Sequence, residues 1–353
     1  MDTVEKIRLA SFMINKAAKD YRANRLVVAW RFLQALRQGF SPTEIAECDL
    51  LNTAEAGTRL RDFVSNEELL DFQRGLNPES HYTDTEDKQV FARLCRQHHL
   101  PIAKQVGQFD FGSQVDPVMI EPIRQLVARL PSGDYILKPT RGCHGKGVLP
   151  VVHQQQPESE EALVEQLRHH CATHREFCHW LIEERLANHR DVLALSPSHA
   201  LQTVRVVTFV DCDDKVQLVA AQWRLASVHA YVDNFCFGTR LGLLCNIVPE
   251  TGRIEIAYRG KNFPREFALD AVDRHIETGK ILVGERVPLW DEVVALAERA
   301  ALAFLPSRAI GWDIGLSPAG PVLIEGNRYW DAHNEDGRMR ERMARMRDVS
   351  PTT

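Results

Sequence analysis

A lysine followed by a glycine-rich loop is the first arrangement in this sequence that could do chemistry. Lys138-Pro139 ends a short apolar run, and three glycines lie in the segment from Arg141 to Gly147. Glycine allows positive φ and close backbone approach, and successive N–H groups in such a loop form a concave site for anionic oxygen. With Lys138 and Lys146 adding positive charge, the segment predicts a phosphate site. The alternative is a mobile hairpin turn with exposed lysines.

Two acidic residues near the end of the chain form the second arrangement. Asp313 lies among apolar residues of one predicted strand, and Glu325-Gly326-Asn327 ends the next. In an antiparallel pair the two carboxylates would lie side by side, which is costly unless a cation neutralises them. Carboxylate and amide oxygens suit Mg²⁺ bound to phosphate rather than zinc. The alternative is two separate strand-end acids that face water.

The elements that must position these residues are short strands and helices. Apolar periodicity predicts helices through residues 1–75 and again at 160–173 and 290–305. Strands are predicted at 135–139, 148–152, 179–184, 201–210, 216–223, 310–316 and 322–325. Because several neighbouring strands are joined by short turns, the pattern predicts an α+β fold with antiparallel hairpins, not a doubly wound parallel sheet.

The composition is that of an ordinary globular protein. The chain has 353 residues, a net charge of -5, 44% hydrophobic and 26% charged residues, which gives no reason to expect nucleic acid as a partner. It contains no apolar run of the ~20 residues needed to cross a bilayer, so no membrane insertion is expected. Its eight cysteines form no CxxC pair. They therefore fit reduced thiols and a cytoplasmic location, while the oligomeric state stays open.

Taken together, the order of these motifs resembles the ATP-grasp superfamily over roughly residues 85–335. The matching segments are Asp87-Lys88, His99-Leu100-Pro101, Lys138-Pro139, Ile182-Glu183-Glu184-Arg185-Leu186, Asp313, and Glu325 with Asn327. More narrowly, residues 201–208 and 324–327, with 232–235 and Gly238, look like the branch called sugar-transfer-associated ATP-grasp proteins. The name of that branch records an association with sugar-transfer genes and implies no established reaction.

The resemblance implies that two α+β lobes clamp ATP and one or two Mg²⁺ ions, for which Mn²⁺ can substitute. The implied ATP-binding residues are Lys88, Lys138, Arg141, Gly142, Gly145, Lys146, Gly147, Glu183, Glu184 and Leu186. The implied metal ligands are Asp313, Glu325 and Asn327. Arg205 and Arg328 would stabilise the transferred group, and Arg224, Asn234 and Arg240 are candidates for substrate contacts.

The sequence departs from the superfamily pattern near the metal aspartate. Many ligases of the superfamily have an arginine two residues before it, where this chain has Gly311. Arg205, Arg224 or Arg328 would therefore have to take that role. A solvent-facing Arg205 is the alternative, because its neighbours on the predicted strand are β-branched.

The reaction that the resemblance implies is MgATP-dependent ligation of a carboxylate to an amine, or to another nucleophile, through an acyl phosphate. A sugar-linked acceptor or cell-surface metabolite is a hint for the substrate. Two alternatives stay open: an ATP-grasp phosphotransferase acting on a hydroxyl, and a catalytically silent nucleotide-binding module. The predicted domains are a helical region at 1–80, an ATP-grasp domain at 81–335 and a helical tail at 336–353. The lobes would divide at about residue 185.

Overall fold

The computed structural model describes residues 2–53, 60–111, 120–142, 145–230, 235, 242–332, 334 and 337–350. Within these residues, the helices are α1 (Thr3–Asp20), α2 (Arg25–Arg37), α3 (Pro42–Glu47), α4 (Asn66–Leu76), α5 (Thr83–Glu86), α6 (Lys88–Gln97), α7 (Ile120–Val127), α8 (Pro157–Thr173), α9 (Arg190–Leu195), α10 (Trp290–Ala303) and α11 (Met339–Asp348). The strands are β1 (Gln105–Asp110), β2 (Gly133–Pro139), β3 (Leu149–His153), β4 (His179–Glu184), β5 (Thr203–Val210), β6 (Val216–Leu225), β7 (Leu243–Val248), β8 (Arg253–Arg259), β9 (Asp270–Val272), β10 (Ala309–Ser317) and β11 (Gly320–Asn327). The mixed α+β architecture expected from the sequence is confirmed.

The first lobe is built on a four-stranded sheet in the order β1-β4-β2-β3. All of its described strand pairs are antiparallel. The apolar residues of α7 and α8 pack on this sheet, where Ile123 and Leu167 join a core that contains Trp180 and Ile182. Burying such side chains is the main source of stability here, at about 25 cal/mol per Å² of apolar surface removed from water.

The second lobe is built on a seven-stranded antiparallel sheet in the order β11-β10-β5-β6-β7-β8-β9. α10 packs on it, and Phe304 lies edge-on to Trp312 with ring centroids 5.1 Å apart. The buried indole of Trp312 donates to the Thr208 hydroxyl at 2.8 Å. A parallel bridge between Ile102 and Leu323 ties the segment before β1 to β11. This bridge brings the two lobes together beside the metal-ligand candidates.

The N-terminal helices have two different packing partners. α1–α3 form a core of their own, in which Met13, Phe32 and Ile45 pack together with Phe267 of the second lobe. α4 and the C-terminal α11 instead cover part of the seven-stranded sheet, through a cluster that includes Leu69 and Met343. The domain boundaries at residues 80 and 335 stay predictions.

Strands β7, β8 and β9 form the far edge of the large sheet and are absent from the sequence-based prediction. A signal for β8 was available, because Ile254 and Ile256 alternate with charged residues immediately after Gly252. The strands β10 and β11 are also longer than predicted. Each has two or more residues beyond the predicted ranges 310–316 and 322–325. No helix in the described part of the chain combines the length and apolar character needed to cross a bilayer.

Candidate functional site

A cleft between the two lobes brings together most of the residues that the sequence singled out. Its charged and polar lining includes Lys88, Lys138, Lys146, Glu183, Glu184, Arg224, Asp313 and Glu325. Its apolar lining includes Ala103, Ile136, Val148, Pro150, Leu186, Leu201 and Ile324. Such a combination of apolar walls and a few convergent charges is typical of a small-molecule site.

Lys138 is held in this cleft by a buried ion pair. It lies near the end of β2, and its ammonium is 2.5 Å from the carboxylate of Glu183 in β4. Lys138 is 9% exposed and Glu183 8% exposed. A buried charge is tolerated when a partner compensates for lost hydration. The pair therefore fixes a positive charge at the strand end without any ligand present.

Lys88 connects the glycine-rich loop with the carboxylate pair. It is the first residue of α6, and its ammonium donates to the Gly142 carbonyl at 3.1 Å and lies 3.9 Å from the Glu325 carboxylate. Burial lowers the pKa of Lys88, and the charge of Glu325 opposes that shift. Asp87 caps the same helix and accepts from Arg141 at 3.0 Å. Arg141 thus faces Asp87 and does not belong to the described cleft lining.

The glycine-rich loop needs glycine for steric reasons. Gly145 has φ +69° and Gly147 has φ +76°, a region that other residues rarely adopt. A Cβ on Gly147 would lie 3.1 Å from the ring of Phe177. His170 of α8 contacts the Gly147 carbonyl at 3.0 Å, and Lys146 pairs with Glu176 at 2.9 Å. The segment after β3 therefore supports the loop, although residues 143 and 144 lie outside the described part.

Asp313 is clamped by two arginines. Arg205 of β5 donates from Nε and Nη2 to its two carboxylate oxygens, both at 2.7 Å, and Arg224 of β6 donates at 3.2 Å. Burial alone would raise the pKa of Asp313, but the charges of Arg205 and Arg224 hold it well below its ordinary value. Arg224 lines the cleft, whereas Arg205 is not among the described lining residues. The solvent-facing alternative for Arg205 is wrong, because it is 8% exposed.

The three metal-ligand candidates lie on the β10–β11 pair; Asp313 and Glu325 line the cleft, and Asn327 is not among the described lining residues. Asp313 lies opposite Glu325 in that pair, as the sequence predicts. The Glu325 side chain is 31% exposed toward the cleft. Asn327 donates its amide to the Gly311 carbonyl at 3.2 Å, which leaves its carbonyl oxygen as an acceptor. Among the described residues, no three His, Cys, Asp or Glu side chains form a metal-binding group. Carboxylate and amide oxygens are the donors that suit an Mg²⁺ that also takes oxygens from phosphate.

The segment Glu184–Leu186 lines the cleft where β4 ends. The amides of Glu184 and Arg185 donate to Lys104 and Asp134 carbonyls. The Leu186 amide donates to no backbone carbonyl within the described part of the chain. The Glu184 carboxylate pairs with Lys104 at 2.7 Å and is half exposed. Leu186 therefore offers a backbone donor and Glu184 an accessible carboxylate.

Arg328 does not lie where the transferred group would be. It is 1% exposed, donates to the Asn77 carbonyl at 2.6 Å and lies 3.3 Å from Glu79. Its guanidinium also stacks on Tyr82 and Tyr329. These contacts join the end of β11 to the N-terminal helical region. The structure thus places Arg328 outside the described cleft lining and in contact with the N-terminal region, so we assign the transferred group to another arginine.

Two of the predicted substrate contacts, Asn234 and Arg240, lie outside the described residues. The structure adds cleft residues that the sequence reasoning missed, among them Ile136, Thr203 and His199. Ile136 and Thr203 lie two residues from Lys138 and Arg205, so the two-residue period of a strand could have found them. His199 follows a Ser-Pro-Ser segment that carries no comparable signal.

Comparison with known proteins identifies a family for this sequence. Residues 68–336 match the family described as sugar-transfer associated ATP-grasp. No match was found among curated protein sequences. Similar solved structures include biotin carboxylase from Campylobacter jejuni, at 13% identity and a TM-score of 0.43, with 76% of this chain and 46% of that chain covered. D-cycloserine synthetase has 15% identity and a TM-score of 0.43, with coverage of 80% and 79%. The chain thus spans less than half of the biotin carboxylase.

Proposed function

Because the chain belongs to the sugar-transfer associated ATP-grasp family, we propose that it is a MgATP-dependent ligase. It joins a carboxylate to an amine, or to another nucleophile, through an acyl phosphate. The observation that carries this proposal is that Lys88 and Lys138 share one cleft with Asp313, Glu325 and Arg224. Fixed positive charges suit a triphosphate, and carboxylates beside them suit the cation that accompanies it.

The apolar part of the cleft is suited to the adenine base. Ile136 and Val148 come from the first lobe, Leu186 from the segment that follows β4, and Leu201 and Ile324 from the second lobe. A flat base between two apolar walls loses contact with water on both faces. The Leu186 amide would donate to the edge of the base, and Glu184 would accept from the ribose.

The triphosphate would lie against the lysines and the glycine-rich loop. Lys138 carries a fixed charge at the end of β2, and Lys88 reaches the loop at Gly142. Backbone N–H groups at Gly145 and Gly147 would contact phosphate oxygens, since no side chain stands in the way. Lys146 lines the same cleft and would add a further, more exposed charge.

Glu325, Asn327 and Asp313 would hold Mg²⁺ against the outer phosphates. The ion would neutralise charge on the phosphates during transfer. Arg205 serves as a positioning residue, because its two bonds fix the orientation of Asp313. Glu325 is more accessible than Asp313 and would therefore be the carboxylate that contacts the cation most directly.

Arg224 is the residue best placed to stabilise the transferred group. It lines the cleft 3.2 Å from Asp313. An arginine at position 311 would meet Trp330, because a Cβ on Gly311 would lie 3.1 Å from the Cβ of Trp330. Many ligases of the superfamily have an arginine at the position of Gly311, and here Arg224 of β6 would supply that positive charge instead. A substrate carboxylate oxygen would attack the γ-phosphorus with ADP leaving, and the nucleophile would then displace phosphate from the acyl carbon.

The substrates would be small molecules, with a sugar-linked compound or cell-surface metabolite as acceptor or acid. The direct experiment incubates the protein with MgATP and pools of carboxylic acids, amines and sugars, followed by mass spectrometry. An amide or ester product with ADP supports the proposal. A stable phosphorylated alcohol would replace it with a phosphotransferase, and no ATP consumption in any pool would leave a nucleotide-binding module.

A pair of variants makes this experiment specific to the cleft. Glu325→Gln should reduce product formation far more than ATP affinity, because the metal charge matters most as charge develops on the transferred group. Glu292 is an exposed residue of α10, so Glu292→Gln is the matched control and should behave as wild type. Equal turnover of the two variants would exclude Glu325 from the reaction.

A further inference from the structure

Helix α2 is apolar on both sides. One side carries Val28, Phe32 and Ala35, which are buried in the N-terminal core. The other side faces outward with Leu26, Trp30 and Leu33, which are 79%, 54% and 48% exposed. Apolar side chains on a second side of a helix are normally covered as well, by protein or by lipid. The outward side of α2 thus lacks a cover within the described structure.

Exposed apolar side chains are concentrated in this part of the molecule. Leu26, Trp30 and Leu33 recur at intervals of four and three residues, so they form one stripe along the helix. Fourteen large apolar residues of the described chain are exposed, and eight of them lie in α1 and α2. These eight are Val4, Ile7, Phe12, Leu26, Val27, Trp30, Leu33 and Leu36. Contiguous apolar patches mark interaction surfaces, whereas single exposed apolar residues do not, and the α2 stripe is contiguous by its spacing.

The charge of the same region identifies the partner. Residues 2–38 contain eight Lys and Arg against three Asp and Glu, a net charge of +5, whereas the whole chain carries -5. α2 itself contains Arg25, Arg31 and Arg37 and no acidic residue. The guanidinium of Arg37 lies 5.8 Å from the centre of the Trp30 ring. An outward apolar stripe that contains a tryptophan and has arginines beside it suits contact with the surface of an anionic membrane.

We propose that α1 and α2 dock this protein on an anionic lipid bilayer, with Leu26, Trp30 and Leu33 inserted among the lipid headgroups and acyl chains. Arg25 and Arg37, which are exposed, would contact lipid phosphates, each contributing to binding in the presence of negative surface charge. Arg31 instead donates to the Leu50 carbonyl at 3.1 Å. A second copy of the chain fits the same face less well. A symmetric α2–α2 contact would bring basic side chains together, and the helix has no acidic residue to pair with them. The sequence-based expectation of no membrane insertion rested on the lack of a membrane-spanning run, and this proposed docking departs from it at the bilayer surface only.

The test uses full-length protein and vesicles of phosphatidylcholine, with or without phosphatidylglycerol. Co-sedimentation should show binding to the mixed vesicles and little binding to phosphatidylcholine alone. The fluorescence of Trp30 reports contact of this residue with the bilayer, because the other five tryptophans of the chain are buried. Quenching of fluorescence by acrylamide should therefore decrease when anionic vesicles are added, and Trp30→Phe should abolish that decrease.

Matched variants separate docking from loss of structure. Leu26→Glu combined with Trp30→Glu, and Arg25→Glu combined with Arg37→Glu, should each weaken binding at least about tenfold, from the contributions of insertion and surface charge. The controls are Leu302→Glu, a 46% exposed residue of α10, and Arg190→Glu, with an 89% exposed side chain. Both controls should bind vesicles as wild type, and all variants should keep wild-type ATP affinity.

Several results would overturn the proposal. These are absence of binding to anionic vesicles, unchanged Trp30 quenching, and equal binding of the α2 and control variants. Sedimentation velocity in the absence of lipid distinguishes membrane docking from self-association of the protein. A dimer that Leu26→Glu dissociates, without any vesicle binding by wild type, would assign the face to self-association instead.

Discussion

Arg205 and Asp313 lie opposite each other on neighbouring antiparallel strands, and two nitrogen–oxygen contacts of 2.7 Å join them inside the second lobe. Such a fork-to-fork pair fixes both side chains in one orientation. Because Asp313 also accepts from Arg224, its position controls the residue that we place next to the transferred group. The pair therefore connects the stability of the large sheet with the geometry of the candidate site.

The first prediction concerns the stability that depends on this pair. Arg205→Ala should lower the free energy of unfolding by about 3–5 kcal/mol, because it leaves a buried carboxylate without its main partner. Urea unfolding followed by circular dichroism measures the change. Arg190→Ala is the control, since an exposed side chain should contribute no more than about 0.5 kcal/mol. Equal stabilities for the two variants would contradict the structural role of Arg205.

The second prediction is the pH dependence of the same pair. The arginines hold the pKa of Asp313 below its ordinary value of 3.8, so the unfolded chain binds this proton more readily than the folded chain. The contribution of Asp313 is therefore complete well above pH 3.8 and is lost as pH falls below it. The stability difference between wild type and Asp313→Asn should narrow in that acidic range. A pH-independent difference in urea unfolding would show that Asp313 is not held ionised.

The third prediction concerns the glycine-rich loop and separates the effect of backbone strain from that of a clash with Phe177. Gly147 and Gly279 both have positive φ, but a Cβ would meet Phe177 at Gly147 and nothing within 4 Å at Gly279. Each alanine variant should lose about 1 kcal/mol of stability or more through strain. Gly147→Ala alone should also weaken ATP binding, because the loop must shift from Phe177. Calorimetric titration with MgATP checks this, and equal affinities would exclude the loop from the nucleotide site.

The fourth prediction concerns Lys138. Replacing it alone would leave Glu183 buried and unpaired, so Lys138→Met is combined with Glu183→Gln. The double variant should fold and lose roughly 1.5–3 kcal/mol of ATP-binding free energy, the size of a charge-assisted contact. Lys215→Ala, at a 75% exposed side chain, is the control for simple loss of charge. Wild-type ATP affinity in the double variant would make Lys138 a structural residue only.

The strand-borne part of this site could be predicted from sequence, and the side-chain partnerships could not. Asp313 and Glu325 are close in sequence and joined by a tight turn, so their pairing follows from hairpin geometry. The partners of Asp313 come from β5 and β6, about a hundred residues earlier, and no local pattern specifies that strand order. Arg328 illustrates the opposite case. Its place beside the metal ligands suggested a catalytic role, but Asn77 and two tyrosines hold it against the N-terminal region.

The most direct test of the ligase proposal is trapping of the acyl phosphate with hydroxylamine. The protein is incubated with MgATP, a pool of carboxylic acids and hydroxylamine, and the products are analysed by mass spectrometry and phosphorus NMR. The lysines and loop would hold the inner phosphates, and the carboxylates with Mg²⁺ would face the terminal one, so the γ-phosphoryl group should be transferred. The account predicts a hydroxamate together with ADP and inorganic phosphate. AMP and pyrophosphate, or a stable phosphomonoester without hydroxamate, would contradict it.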